Sequence, residues 1–150
     1  MGGAREYEVT GRARIIKVPE PFRVLKNTDR GRGIATVRFT AKAEPDFVGC
    51  TCNGQMIAFE SKYTSKDRIR QDVVTEAQAT ALQAYTMLGA STYVCCGIGT
   101  GFDLQYFMVP WRIWINMDTR YGRKYLTRDD IKICRVHSDT VIHFLDYLRD

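Results

Sequence analysis

The chain lacks any apolar run long enough to cross a bilayer, and its first residues lack the basic-then-apolar pattern of a secretory leader. These two absences predict an intracellular, cytoplasmic protein with no membrane partner. There are only two histidines, His137 and His143, six apart, with no acidic or thiol partner at ligand spacing, so histidine chemistry is not expected. The five cysteines, Cys50, Cys52, Cys95, Cys96 and Cys134, include no C-x-x-C pair. That argues against a structural zinc site and for reduced, mostly buried thiols. No internal repeat and no low-complexity tract is present, so solenoid and disordered classes drop out.

What is present is a chain of 150 residues, 45% hydrophobic, which predicts a single domain spanning residues 1–150. Lys and Arg number 22 against 17 Asp and Glu, a formal charge of +5, and this tilts the partner class towards a polyanion such as nucleic acid. "RARIIKV" (Arg12–Val18) and "GIATVRFT" (Gly33–Thr40) are rich in β-branched residues and read as the first two strands. Between them, residues 19–33 hold two prolines and the basic residues Arg23, Lys26, Arg30 and Arg32, a protruding stalk or loop in this reading. Its plainer alternative is an ordinary solvated connection.

"DFVGCTC" and "QMIAFESK" flank Asn53-Gly54, a hairpin signature. "TEAQATALQAYTML" reads as a helix that opens at Thr75 with Gln78 in capping-box spacing and closes at Gly89. "STYVCCGIG" and "DLQYFMV" read as two more strands. Thr127 and Asp130 suggest another cap, and "DTVIHFLDYLRD" reads as a terminal helix. Strands, a helix, two more strands and terminal helices make an α/β domain with a mixed central sheet.

The chemistry concentrates in "IAFESK". Alternation along a strand puts Ala58, Glu60 and Lys62 on one face and Ile57, Phe59 and Ser61 on the other. A carboxylate that holds a hard divalent cation, one pleat from an amine, is the need of a metal-dependent phosphodiesterase, and Asp46 is the natural second ligand. Register tests the idea. With a two-residue turn at Asn53-Gly54, Asp46 would fall opposite Ser61 on the wrong face; a glycine bulge at Gly54, or a bulge near Gly49, brings it to Glu60 and Lys62. The alternative is a solvated strand face and a turn aspartate.

Pro45, Asp46, Glu60 and Lys62 resemble the motif of the PD-(D/E)xK nuclease superfamily. "RIIKVPEPFRVLK", "GQMIAFESKYT", "TEAQATAL", "YGRKYLTRDDI" and "HFLDYL" extend the likeness to the RecU-type Holliday junction resolvases over nearly the whole chain from about Gly11. The resemblance implies a restriction-endonuclease-like fold, a mixed central sheet flanked by helices with a basic stalk-like protrusion. It implies an endodeoxyribonuclease acting in DNA recombination and repair, with Mg²⁺ as cofactor and Mn²⁺ as substitute. Asp46 and Glu60 would be metal ligands, Lys62 the water-activating or phosphate-stabilising residue, and Gln78 a fourth catalytic position that rivals its own capping role. The implied partner is branched DNA, in particular four-way junctions, entered by the stalk around Arg23, Lys26, Arg30 and Arg32; Lys66, Arg68 and Arg70 are expected to add phosphate contacts, and the two-fold symmetry of a junction with one site per chain predicts a homodimer. Two positions and the N-terminal segment depart from the family. Ala77 stands for its histidine, Pro45 for its threonine, and only "MGGAREYEVT", with Glu6 and Glu8, precedes the first strand where relatives carry an acidic helix. The departures keep open a catalytically silent branched-DNA-binding module.

Overall fold

The computed structural model describes residues 2–40 and 42–148. It opens with helix α1 (Gly2–Val9), where the sequence shows nothing but a short lead-in. Two glycines are poor helix formers, yet Gly3 is needed here: a β-carbon at that position would sit 2.3 Å from the Ile142 carbonyl oxygen. Close approach lets α1 bury Ala4 and Tyr7, one turn apart on the same face.

Seven strands form the main sheet in the order β1 (Ala13–Lys17), β4 (Phe47–Thr51), β5 (Met56–Thr64), β7 (Ser91–Ile98), β8 (Gln105–Pro110), β10 (Arg135–Ser138) and β11 (Ile142–Tyr147). Among the described residues only the β5 and β7 pair is parallel, and the helix α2 (Glu76–Met87) makes the crossover that parallel pairing requires. The short helices α3 (Trp111–Ile115) and α4 (Met117–Tyr121) follow β8. A small second pair, β6 (Arg68–Arg70) with β9 (Tyr125–Thr127), flanks the sheet.

The alternation of β-strands divides the core into two layers. Val94, Cys96 and Ile98 of β7 and Phe107 and Val109 of β8 face α2 and the two tryptophans, Trp111 and Trp114. Ile57, Phe59, Cys95 and Met108 face the opposite way, onto Tyr7, Ile15 and Phe144. The edge strands β1 and β11 are joined through α1: the Tyr7 hydroxyl donates to Asp146 at 2.7 Å, and Arg12 forms a two-bond pair with the same carboxylate.

Two readings of the sequence need correction. "GIATVRFT" is not the second strand of the main sheet: β3 (Ile34–Phe39) pairs with β2 (Phe22–Asp29) in a separate two-stranded ribbon, so the protrusion has two extended arms and reaches to Phe39. The tail is not a helix. Thr140, Val141 and Ile142 are consecutive β-branched residues, and Phe144 reaches the core from a strand. The Thr127–Asp130 cap does form, with Asp130 accepting from the Thr127 amide at 2.8 Å, but it closes a turn that leads into a single 3₁₀ turn and then β10.

Candidate active site

β4 and β5 pair Phe47 with Phe59, Val48 with Ala58, Gly49 with Ile57 and Cys50 with Met56. Continued by one residue, this register sets Asp46 opposite Glu60. The turn supplies the odd insertion: the Thr51 amide donates to Gln55 and the Gly54 amide to Thr51, so Cys52, Asn53 and Gly54 make a three-residue loop. Gly54 has φ +80°, the left-handed conformation of a glycine-bulge turn. The Phe47 and Phe59 rings stack at 4.8 Å and fix the register one residue from the carboxylates.

Ile57 and Phe59 are buried as the alternation predicts, but Glu60 is buried as well, at 1% exposure, beneath the start of α2. Lys62 Nζ lies 3.7 Å from Glu60 Oε1. Asp46 accepts the Ser61 amide at 2.9 Å and Lys42 Nζ at 3.0 Å. Burial alone would raise the Asp46 carboxyl, but the Ser61 and Lys42 hydrogen bonds outweigh it and hold the group below its usual range. Glu60 goes the other way. Burial first and the neighbouring Asp46 second push it up to about 7, with Lys62 and Lys42 opposing.

Lys42 is not visible as a site residue in the sequence. It lies four residues before Asp46 in an irregular segment, where spacing carries no facing information, and its ammonium also donates to the Val18 carbonyl at 3.0 Å. Gln78 takes both of its candidate roles at once. Its Oε1 accepts the Thr75 amide and its own amide donates to Thr75 Oγ1, completing the capping box. That orientation turns Nε2 outward, where it donates to Glu60 Oε1 at 2.6 Å.

Glu60 Oε2 is buried and, among the described residues, has no hydrogen-bond partner. An orphaned carboxylate oxygen at the base of a site is costly unless something positive approaches it. Two opposed carboxylates form the hard oxygen donor set that suits Mg²⁺ or Mn²⁺, so these residues fit a divalent cation. The acidic residues of α1 are elsewhere: Glu8 pairs with Arg14 and Glu6 lies beside His143.

The basic residues fall into two groups. Arg23, Lys26 and Arg38 share one face of the β2–β3 ribbon, all exposed, with Arg23 directly opposite Arg38. Like charges set opposite each other are unfavourable, and among the described residues none of the three makes a salt bridge. Arg38 escapes a reading of the sequence because "TVRF" reads first as a buried strand. Arg30 lies at the ribbon tip, and Arg32 there is 3.5 Å from Asp29. The second group is less available. Lys66 is exposed, but Arg68 packs over the Tyr125 ring at 4.8 Å and Arg70 pairs with Asp72 at 2.6 Å.

Residues 3–150 match the family model of RecU, recombination protein U. Among solved structures, Archaeoglobus fulgidus Hjc, a Holliday junction resolvase from an archaeal hyperthermophile, is similar at 16% identity, with a TM-score of 0.42 over 73% of this chain and 71% of that chain. No curated protein matches the sequence.

Proposed function

From the premise that this chain belongs to the recombination protein U family, we propose that it is a metal-dependent endonuclease that cuts four-way DNA junctions in recombination and repair. The observation that carries this reading is the opposed pair of Asp46 and Glu60, with an orphaned Glu60 oxygen, framed by two lysines. Asp46 and Glu60 would hold Mg²⁺, or Mn²⁺ in its place, which when bound neutralises charge on the phosphate and lowers the pKa of the attacking water.

The chain's own residues do the rest. Gln78 Nε2 fixes the plane of the Glu60 carboxylate, and the capping box fixes Gln78. Lys62, one pleat from Glu60, is placed to orient the water and to offset charge on the phosphate oxygens. The ribbon face of Arg23, Lys26 and Arg38, with Arg30 and Arg32 at the tip, would hold junction phosphates, and Lys66, Arg68 and Arg70 would extend the contact. A junction presents two scissile strands related by a two-fold axis, and one site per chain then calls for a symmetric dimer.

One observation favours the silent branched-DNA-binding module: Lys42 already pairs with Asp46, a proposed ligand. A single experiment separates the two readings. A labelled four-way junction is incubated with Mg²⁺, alongside linear duplex, a chelator control and Lys62→Ala. Paired symmetric nicks, absent with chelator and in the variant, are the expected result. Junction-selective binding with no cutting in either Mg²⁺ or Mn²⁺ would overturn the nuclease in favour of the binding module.

A further inference from the structure

The terminal hairpin brings together the two histidines that look unpartnered in the sequence. β10 and β11 pair His137 directly with His143, and the rings lie 5.0 Å apart. The turn between the strands then sets Asp139 beside both. His143 Nε2 is 3.3 and 3.4 Å from the two Asp139 oxygens, and His137 Nε2 is 3.5 Å from Asp139 Oδ2. On the far side of the His143 ring, Nδ1 faces Glu6 of α1 at 3.6 Å.

The separations between Asp139 and the two imidazoles are long for hydrogen bonds. They match the edge of a small tetrahedron instead: ligands held about 2.0–2.1 Å from a zinc-type ion stand roughly 3.4 Å from one another. One ligand atom from each of the three residues falls within a 4.8 Å span. Two imidazoles and one carboxylate suit borderline ions such as Zn²⁺ or Co²⁺, whereas Mg²⁺ asks for an octahedron of oxygens.

The surroundings support the same reading. The Val141 amide donates to Asp139 Oδ1 at 3.1 Å and fixes the carboxylate. A register shift lies between Val136 and His137, directly beside the cluster. His143 is 12% exposed and held in place, while His137 and Asp139 are about half exposed, so the cluster opens to solvent on one side. Glu6 lies on the side of the ring nitrogen that does not face the ion, at 3.6 Å, where a small shift would make it the outer carboxylate of a metal-bound histidine.

We propose that His137, Asp139 and His143 bind a divalent transition ion of the zinc type, with Glu6 as the outer carboxylate on His143, and that the ion fastens α1 to the terminal hairpin. The site is separate from Asp46 and Glu60. The two sets share no residue, and the donor chemistry differs: two imidazoles and a carboxylate here, two carboxylates there.

The test is a Co²⁺ titration of the tag-free, metal-stripped chain carrying Cys50→Ser and Cys52→Ser, since both of those thiols are exposed. With excess Mg²⁺ present to occupy Asp46 and Glu60, the expected result is one equivalent bound, with tetrahedral visible bands and no thiolate-to-cobalt charge transfer. His137→Ala and His143→Ala should each weaken binding more than tenfold, and Glu6→Gln by about tenfold. Excess Mg²⁺ should not displace the ion. His137 is exposed enough that its variant keeps the fold, which near-ultraviolet circular dichroism checks. Binding that disappears with the two cysteines, that persists unchanged in both histidine variants, or that Mg²⁺ displaces would overturn the proposal.

Discussion

The β2–β3 ribbon and the β4–β5 hairpin are both antiparallel pairs, and they differ in what covers them. In β5, Ile57, Ala58, Phe59 and Glu60 are all buried, and the strand has a neighbour on each side. In the ribbon no side chain is buried, and Phe22, Val24, Leu25, Ile34 and Phe39 stay exposed. The β4–β5 ladder runs without a shift, while the ribbon register shifts twice. Two strands with no packed face are marginal on their own and weakly specify their pairing. The hairpin is therefore suited to fixing atoms for chemistry, and the ribbon to carrying charge on an arm that adapts to what it grips.

The sharpest way to break this contrast is to change charge in each place. In the hairpin, Asp46→Asn should lower junction cleavage by about a thousandfold or more, because the electrostatic stabilisation of the transferring phosphate goes with it. Junction binding, measured by gel shift in a chelator, should hold within a few fold. In the ribbon, replacing Arg23, Lys26 and Arg38 together with Ala should do the reverse. Single-turnover cleavage at saturating junction should be nearly unchanged, while the slope of log affinity against log salt should fall by about three. An unchanged slope would place the phosphate contacts elsewhere on the chain.

The burial contrast also predicts a pH effect confined to the hairpin. Glu60 in the metal-free protein holds its proton up to about 7, above the ordinary carboxyl value of 4.5. The folded state therefore binds more protons than the unfolded state between those values, and stability is lost as pH rises through that window. The loss is on the order of 3 kcal/mol. Thermal melts of metal-free protein from pH 5 to 8 should decline, and Glu60→Gln should flatten the decline. A wild-type curve that rises across the window would mean that Glu60 is ionised in the fold. Added Mg²⁺ should restore stability mainly at the upper end, where the carboxylate is already deprotonated.

Much of the hairpin is legible in the residues alone. Alternation assigns the faces of "IAFESK", and the mismatch between that alternation and a two-residue turn requires the insertion that Gly54 provides. Local rules suffice because the relation between Asp46 and Glu60 is set by a short loop and a counted ladder. The ribbon is harder to read. "GIATVRFT" has the composition of a core strand, and nothing local tells whether a layer covers it. The contact of Glu6 with the histidine cluster is out of reach for the same reason as Lys42. Glu6 meets His143 across almost the whole chain, and Lys42 meets Asp46 from a segment without periodicity. The terminal hairpin reads as a helix because "HFLDYL" alone is compatible with either period.

Gln78 joins the legible and illegible parts, and its two roles can be separated by the choice of substitution. Gln78→Glu keeps the side-chain oxygen that accepts the Thr75 amide, so the capping box survives, but it removes the Nε2 donor to Glu60. Gln78→Ala removes both. If Gln78 acts on the reaction by positioning Glu60, both variants should lose cleavage by about tenfold or more. Only Gln78→Ala should also lose up to about 1 kcal/mol of stability, from the lost bond between the Thr75 amide and the residue-78 side chain. The stability comparison is made near pH 5, where Glu60 is protonated and a glutamate at 78 meets no second carboxylate charge. A Gln78→Glu variant that cleaves like the parent would leave Gln78 as a helix cap alone, and would shift the fixing of Glu60 onto the buried strand that carries it.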